Sequence, residues 1–282
     1  MSGKQNSIRW VISIAGVLVV VLGGLYLWPS PSIPVIEQKA VRSDATPDLV
    51  LNADVLVENF DKIVFGSEIK LVPGSATIRK WKSPLLISLS AYEEQEVVKD
   101  GKTIRVLGRK KIDDVYVGYV KSHLNSLVKL TGLKTEDSKL LGKKANLKIH
   151  FVPQIHMSNP GLTNADPAIV KRLARQKGCY FLTWSNAKTG VMFKGEIVVN
   201  TDRQKDKINH CLLEELTQSL GMPNDTQTSW PSIFSDHYHV TELSPGDEIL
   251  LKTLYDSRMP LALPREEALF VAKDIIKELV AQ

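Results

Sequence analysis

His210-Cys-Leu-Leu-Glu-Glu-Leu-Thr-Gln-Ser-Leu-Gly-Met-Pro-Asn-Asp225 is the stretch that decides how the rest of the chain is read. At about 100° per residue, Leu212, Leu213, Leu216 and Leu220 share one face of a helix. His210, Glu214, Gln218 and Gly221 fall on the opposite side within about 80°, and Glu215 borders that stripe. The spacing therefore predicts a helix over 205–220 with an apolar back for a sheet and a row of polar side chains in front. Gly221 suits a left-handed C-cap, and Pro223 stops the helix from continuing.

Upstream, Lys194-Gly-Glu-Ile-Val-Val-Asn200 reads as the sheet strand that leads into this helix, within a strand over 191–200. Tyr180–Trp184 is a partner strand, joined to it by Ser-Asn-Ala-Lys-Thr-Gly190. Asp166-Pro167 pairs an N-cap with proline at the first helical position and opens a helix to about Gln176. Asn146–Val152 and Pro84–Ser90 are apolar strands, and 96–106 is a hairpin turning at Asp100-Gly101. Ile112, Val115, Tyr116, Tyr119, Leu124, Leu127 and Val128 mark one face of a helix over 112–131. Downstream, helices are predicted over 245–255 and 264–280. Strands and helices in this order give an α+β domain from residue 49 to 282, without repeats or low-complexity segments.

The helix resembles the active-site helix of metzincin proteases, H-E-x-x-H-x-x-G-x-x-H-D, in which three His hold zinc and a Glu acts as general base. This chain reads Glu214-Glu215-x-x-Gln218-x-x-Gly221-x-x-Asn224-Asp225, with the spacing kept throughout. Glu215 stands at the general-base position, Gly221 at the turn and Asp225 at the trailing acid. Glu214, Gln218 and Asn224 replace the three His. Glu242-Leu-Ser-Pro-Gly-Asp247 followed by Leu254-Tyr255 is similar to the segment after the Met-turn of matrixin-like members, although Ser232-Ile-Phe234 carries no Met where that turn would fall. With Phe65-Gly-Ser-Glu68 and Lys80-Trp81, the set is similar to an uncharacterised bacterial envelope family known only as a domain of unknown function. The resemblance implies a zincin-like α+β fold, a mixed twisted sheet with two long helices, and no established activity.

One carboxylate and two amide oxygens suit zinc poorly, and calcium or magnesium asks for more oxygens and more charge. No metal is therefore assigned to the triplet. His210 and Glu214, one helical turn apart, and His237 or His239 on the returning segment are the alternative ligands for zinc or another divalent ion. Without a metal, two readings stand: Glu215 sits in a cleft and binds a substrate amine or hydroxyl, or Glu214 and Glu215 only form a hydrogen-bonded polar seam with Gln218 and Asn224.

Trp10–Trp28 contains nineteen residues without a charge, about 28 Å as a helix and close to the thickness of a bilayer core. Lys4 and Arg9 precede it, so the positive-inside bias predicts a cytoplasmic leader at 1–9, a transmembrane signal anchor at 10–28 and a linker at 29–48. A cleaved signal peptide is the competing reading, but no small-x-small site follows. In a bacterium the domain would then be periplasmic on the inner membrane, where Cys179 and Cys211 pair as a disulfide by default; a catalytic cysteine is the sharper alternative. A net charge of +5 over 282 residues, with 36 Lys+Arg against 31 Asp+Glu, gives no basis for nucleic-acid binding. The sequence thus predicts a membrane-anchored envelope protein whose domain is a non-catalytic module for a peptide or an envelope protein. A peptidase using Glu215 with unorthodox metal ligands and a structural subunit of an envelope complex are the alternatives.

Overall fold

The computed structural model describes residues 51–282 apart from 68–72, 160 and 177. Its elements run α1 (Ala53–Phe65), β1 (Lys80–Trp81), β2 (Leu85–Lys99), β3 (Lys102–Lys110), α2 (Asp114–Thr131), β4 (Thr135–Asp137), β5 (Leu147–Val152), α3 (Pro167–Gln176), β6 (Cys179–Ser185), β7 (Val191–Asn200), α4 (Lys205–Gln218), α5 (Pro245–Tyr255) and α6 (Arg265–Val280). Local chemistry sets the ends of the helices. Asn52 accepts from Asp54 N and Val55 N, and Asp113 accepts from Val115 N. Ser244 and Asp247 cap each other's backbone reciprocally at the start of α5.

The sheet has the order β1-β7-β5-β2-β3, with β4 also on β2 and β6 also on β7. β1, β7, β5, β2 and β4 run parallel, while β3 and β6 are antiparallel to their neighbours. The period of two divides the side chains between the faces. Leu147, Ile149 and Phe151 of β5 and Ile197 and Val199 of β7 join the main core with Leu212, Leu213 and Leu216 of α4 and Leu124 and Leu127 of α2. Val152, Val198 and Tyr180 point the other way, into a smaller core with Val170 and Leu173 of α3. The predicted apolar back of α4 is thus buried against the sheet, and burial of each such side chain contributes roughly 1.5–3 kcal/mol.

Three differences from expectation have physical reasons. Strand 84–90 and the hairpin are one continuous β2–β3 ribbon, because Ala91–Lys99 pairs residue by residue with Lys102–Lys110. Helix α1 carries Leu56, Phe60 and Ile63 inward at helical spacing. At Gly221 φ is +112°, and a Cβ there would lie 2.3 Å from the Arg79 carbonyl. Close approach of another chain segment therefore demands this glycine, along with the positive φ.

The expectation of a membrane-anchored chain is corrected. Among the described residues no helix is long and apolar enough to cross a membrane. The expected leader at 1–9, the span at 10–28 and the linker at 29–48 lie outside the described residues. The fold is accordingly stated without a transmembrane helix. The inner-membrane and periplasmic placement, the membrane contact and the envelope partner, all of which rested on that span, are withdrawn with it.

Candidate functional site

A cavity of about 340 Å³ opens between α3, β6 and the C-terminal half of α4. Ile169 and Leu173 of α3 and Phe181, Leu182 and Trp184 of β6 supply much of its apolar wall. Glu215 and Gln218 of α4 and Arg79 bring the polar groups. Among the described residues β6 pairs only with β7, so its other edge faces away from the sheet. The Gly178 carbonyl accepts from Asn200 N. Counting from there, Tyr180 and Leu182 direct their backbone groups to β7, and Phe181 and Thr183 direct theirs outward.

Clamps hold the C-terminal end of α4 in place beside this cavity. Trp81 Nε1 donates to Ser219 O at 2.9 Å, and the Tyr255 hydroxyl donates to Leu220 O at 2.8 Å. Lys80 Nζ donates to the carbonyls of Leu254 and Met259, and burial lowers its pKa to about 8. Burial likewise raises the pKa of Tyr255, as it does that of Asp247. Asp247 accepts from Ser232 Oγ at 2.5 Å, from Ile233 N at 3.0 Å and from Ser244 N at 3.2 Å. The Lys80-Trp81, Ser232-Ile-Phe234, Ser244–Asp247 and Leu254-Tyr255 segments therefore build the frame that presents α4.

Consecutive helical residues point about 100° apart, and this divides the two glutamates. Glu215 is 1% exposed and faces the cavity. Its carboxylate lies within 4.8 Å of the sulfurs of Cys179 and Cys211, which form a disulfide joining the start of β6 to α4. Bonded sulfurs offer no thiolate, so Cys179, Cys211 and Glu215 are not a metal site in this state. Glu214 instead meets Asp225 and Asp236, one oxygen of each lying within 4.8 Å of the others.

The remaining sequence-predicted residues part in the same way. Gln218 lines the cavity, and its Nε2 donates to Asp225 Oδ1 at 2.5 Å. Asn224 turns to α1, its Nδ2 donating to Lys62 O and to Asp225 O, each at 2.9 Å. The amides of two zinc-ligand positions are thus engaged in hydrogen bonds, and carboxamides are weak zinc ligands in any case. The triplet Glu214, Gln218 and Asn224 does not fit the zinc that the protease resemblance implies, and no reaction step is derived through it.

His210 belongs to the Glu214 side. Its Nδ1 lies 2.6 Å from Val240 O and its Nε2 lies 3.8 Å from Glu214 Oε2. Burial lowers its pKa against the bond to Val240, with His239, Lys207 and Arg203 adding to the lowering. The His239 ring sits 4.3 Å from the His210 ring, and its Nε2 lies 3.8 Å from Asp206. His237 is exposed on the same loop.

Sequence reasoning did not single out Ile169, Leu173, Phe181, Trp184 or Arg79 as site residues. The aromatic and apolar alternation of Tyr180–Trp184 was visible as a strand, but only the pairing shows that this strand is an edge. The model of one family, described as a protein of unknown function (DUF2927), matches residues 53–273, from the start of α1 into α6. Comparison with curated proteins gives no match, and neither does comparison with solved structures.

Proposed function

For a chain that belongs to the DUF2927 family of proteins of unknown function, we propose a zincin-like ligand-binding domain whose site is the cavity beside β6. The zincin-like reading is supported by the order of strands and helices and by the place of α4 directly after β7. It is supported too by the retained spacing from Glu214 to Asp225 on that helix and the turn after it. The ligand class that suits the walls is an extended polypeptide segment laid along β6.

One observation carries this reading: the outward backbone groups of Phe181 and Thr183 border a cavity that also holds Glu215. A strand added there would gain main-chain hydrogen bonds from β6, place alternate side chains against Ile169, Leu173 and Trp184, and offer an N–H donor to the carboxylate of Glu215. Glu215 then acts as an acceptor that fixes register, which requires no metal. The reading assigns no bond-breaking step.

The test is selection of a random decapeptide library against the full chain, followed by titration of the enriched peptides using Trp184 fluorescence. Thr183→Pro deletes one outward N–H while leaving the ladder to β7 intact. The expected result is at least a tenfold loss of affinity in Thr183→Pro with an unchanged melting temperature. Selection without enrichment, or enriched peptides that bind Thr183→Pro as well as they bind the parent, would sink the proposal.

A further inference from the structure

The geometry points to the cavity beside β6 as a pocket for the free C-terminal carboxylate of a bound polypeptide, with Arg79 as the group that receives it. This rests on the reading of that cavity as the peptide site, and it adds which part of the peptide enters.

The guanidinium carries the inference. Arg79 lines the cavity, and its Nε is buried without a hydrogen-bond partner. Among the described residues no carboxylate is paired with it. A buried N–H left unpaired has lost water without gaining a partner, so it favours an acceptor that can reach it. Two other arginines of this chain show what fills such a fork. Arg265 meets Asp61 through Nε–H and Nη2–H, each at 2.6 Å, and Arg258 meets Asp256 through the same two groups, each at 3.0 Å. A carboxylate offers two oxygens to the two parallel N–H groups, which a lone carbonyl does not.

The surroundings give Arg79 this task alone. It is the one Lys or Arg among the described residues of the lining. Lys80 Nζ is taken by the carbonyls of Leu254 and Met259, and Lys194 Nζ by Glu196 and the Trp184 ring. The lining carboxylates, Asp166 and Glu215, only accept, so they call for donors on the ligand, whereas Arg79 calls for an acceptor. The main chain that presents Arg79 is fixed. Its carbonyl abuts Gly221, and the flanking Ile78 N and Lys80 N donate to Leu263 O at 2.9 Å and to Gly190 O at 3.2 Å. A volume of about 340 Å³ is near the lower end of ligand pockets, so it suits the last residues of a chain better than the passage of a long one. The outward backbone groups of Phe181 and Thr183 address a main chain, and the terminal carboxylate is the acceptor that continues a main chain without a side-chain arm.

The test titrates the full chain with each enriched decapeptide in three forms: with a free C-terminus, as the C-terminal amide, and with every Asp and Glu replaced by Asn and Gln. The free acid is expected to bind about tenfold or more tightly than the amide, and Arg79→Gln should reduce that preference to about twofold or less. Arg79 has no protein partner to lose, so the variant should keep the parent's melting temperature. A second probe needs no peptide. The arginine Nε–Hε resonances of the 15N-labelled full chain, with that of Arg79 identified by its loss in Arg79→Gln, are followed against sodium 3-phenylpropionate and against 3-phenylpropionamide. The acid should shift the Arg79 resonance saturably, the amide should not, and Thr183→Pro should leave the shift intact. Peptides that bind equally well as acid and amide, or that keep their preference in Arg79→Gln, overturn this inference and spare strand addition on β6. Binding that survives amidation but is lost with the Asp and Glu side chains also overturns it, by moving the carboxylate to a side chain. If no peptide is enriched, strand addition fails by itself and 3-phenylpropionate decides on Arg79: a saturable shift upholds the carboxylate pocket, and none overturns it.

Discussion

Acidification should destabilise the domain through His150, a residue of β5 that plays no part in the cavity. Its side chain is 6% exposed, and neither ring nitrogen has a hydrogen-bond partner among the described residues. Burial, with Lys148 and Arg109 adding to it, lowers its pKa from 6.5 to about 4. A base whose pKa is depressed on folding is neutral in the native state where the unfolded chain already binds a proton. Stability is therefore full above about pH 6.5 and falls as pH drops from there to about 4. At 1.36 kcal/mol for each pH unit of separation, the loss between pH 7 and pH 4 is about 3 kcal/mol. His150→Leu removes the titration and two orphaned ring nitrogens, so it should be neutral or stabilising at pH 7. Urea unfolding of both proteins at pH 7, 5.5 and 4 isolates the effect. Asp113, Asp256 and Glu278, whose carboxyl pKa values are lowered, also weaken the fold in acid, but equally in both proteins. A difference between the two proteins that stays constant within about 0.5 kcal/mol from pH 7 to pH 4 would refute the reasoning.

Two further outcomes are expected. The Cys179–Cys211 bond closes a sequence separation of 32, so reduction, or replacement of both residues by Ser, should cost about 3–4 kcal/mol in denaturant unfolding. Asp247→Ala leaves Ser232 Oγ, Ile233 N and Ser244 N without their buried acceptor; it should cost about 2–5 kcal/mol by urea melts, with Asp247→Asn milder.

Periodicity made most of the fold legible. The apolar stripe of α4, the N-cap before Pro167 and the reversal at Asp100-Gly101 all depend on local stereochemistry, which a sequence displays directly. The Ser244–Asp247 capping box is equally local. Strand order is different, because Tyr180–Trp184 reads alike whether central or at an edge. Its place beside β7 alone, among the described residues, is settled by how the other strands order themselves around β7. The site was half legible for the same reason. Helical spacing showed that His210, Glu214 and Gln218 share a face. It could not show that Asp225 and Asp236 would return to that face, or that Asn224 would be drawn to the end of α1.

That last displacement explains how the helix can keep the spacing of a zinc helix and yet lack its point of convergence. Spacing along α4 fixes only the directions of Glu214, Glu215 and Gln218; the third position lies past the turn and depends on what attracts the outgoing chain. Here the Lys62 carbonyl near the end of α1 accepts from Asn224, and Gly66 leaves the room that this approach needs, since a Cβ there would stand 2.4 Å from Asn224 Nδ2. Asn224 is therefore directed to α1, and its neighbour Asp225 is turned to Gln218 and Glu214. The Asp225 carboxylate thereby lies between Gln218 at the cavity floor and Glu214 on the neighbouring flank of α4. Placing His at 214, 218 and 224 would accordingly leave the third imidazole opposing the bond that anchors this turn. Convergence would further require a side chain at residue 66 or a change in α1 that releases residue 224.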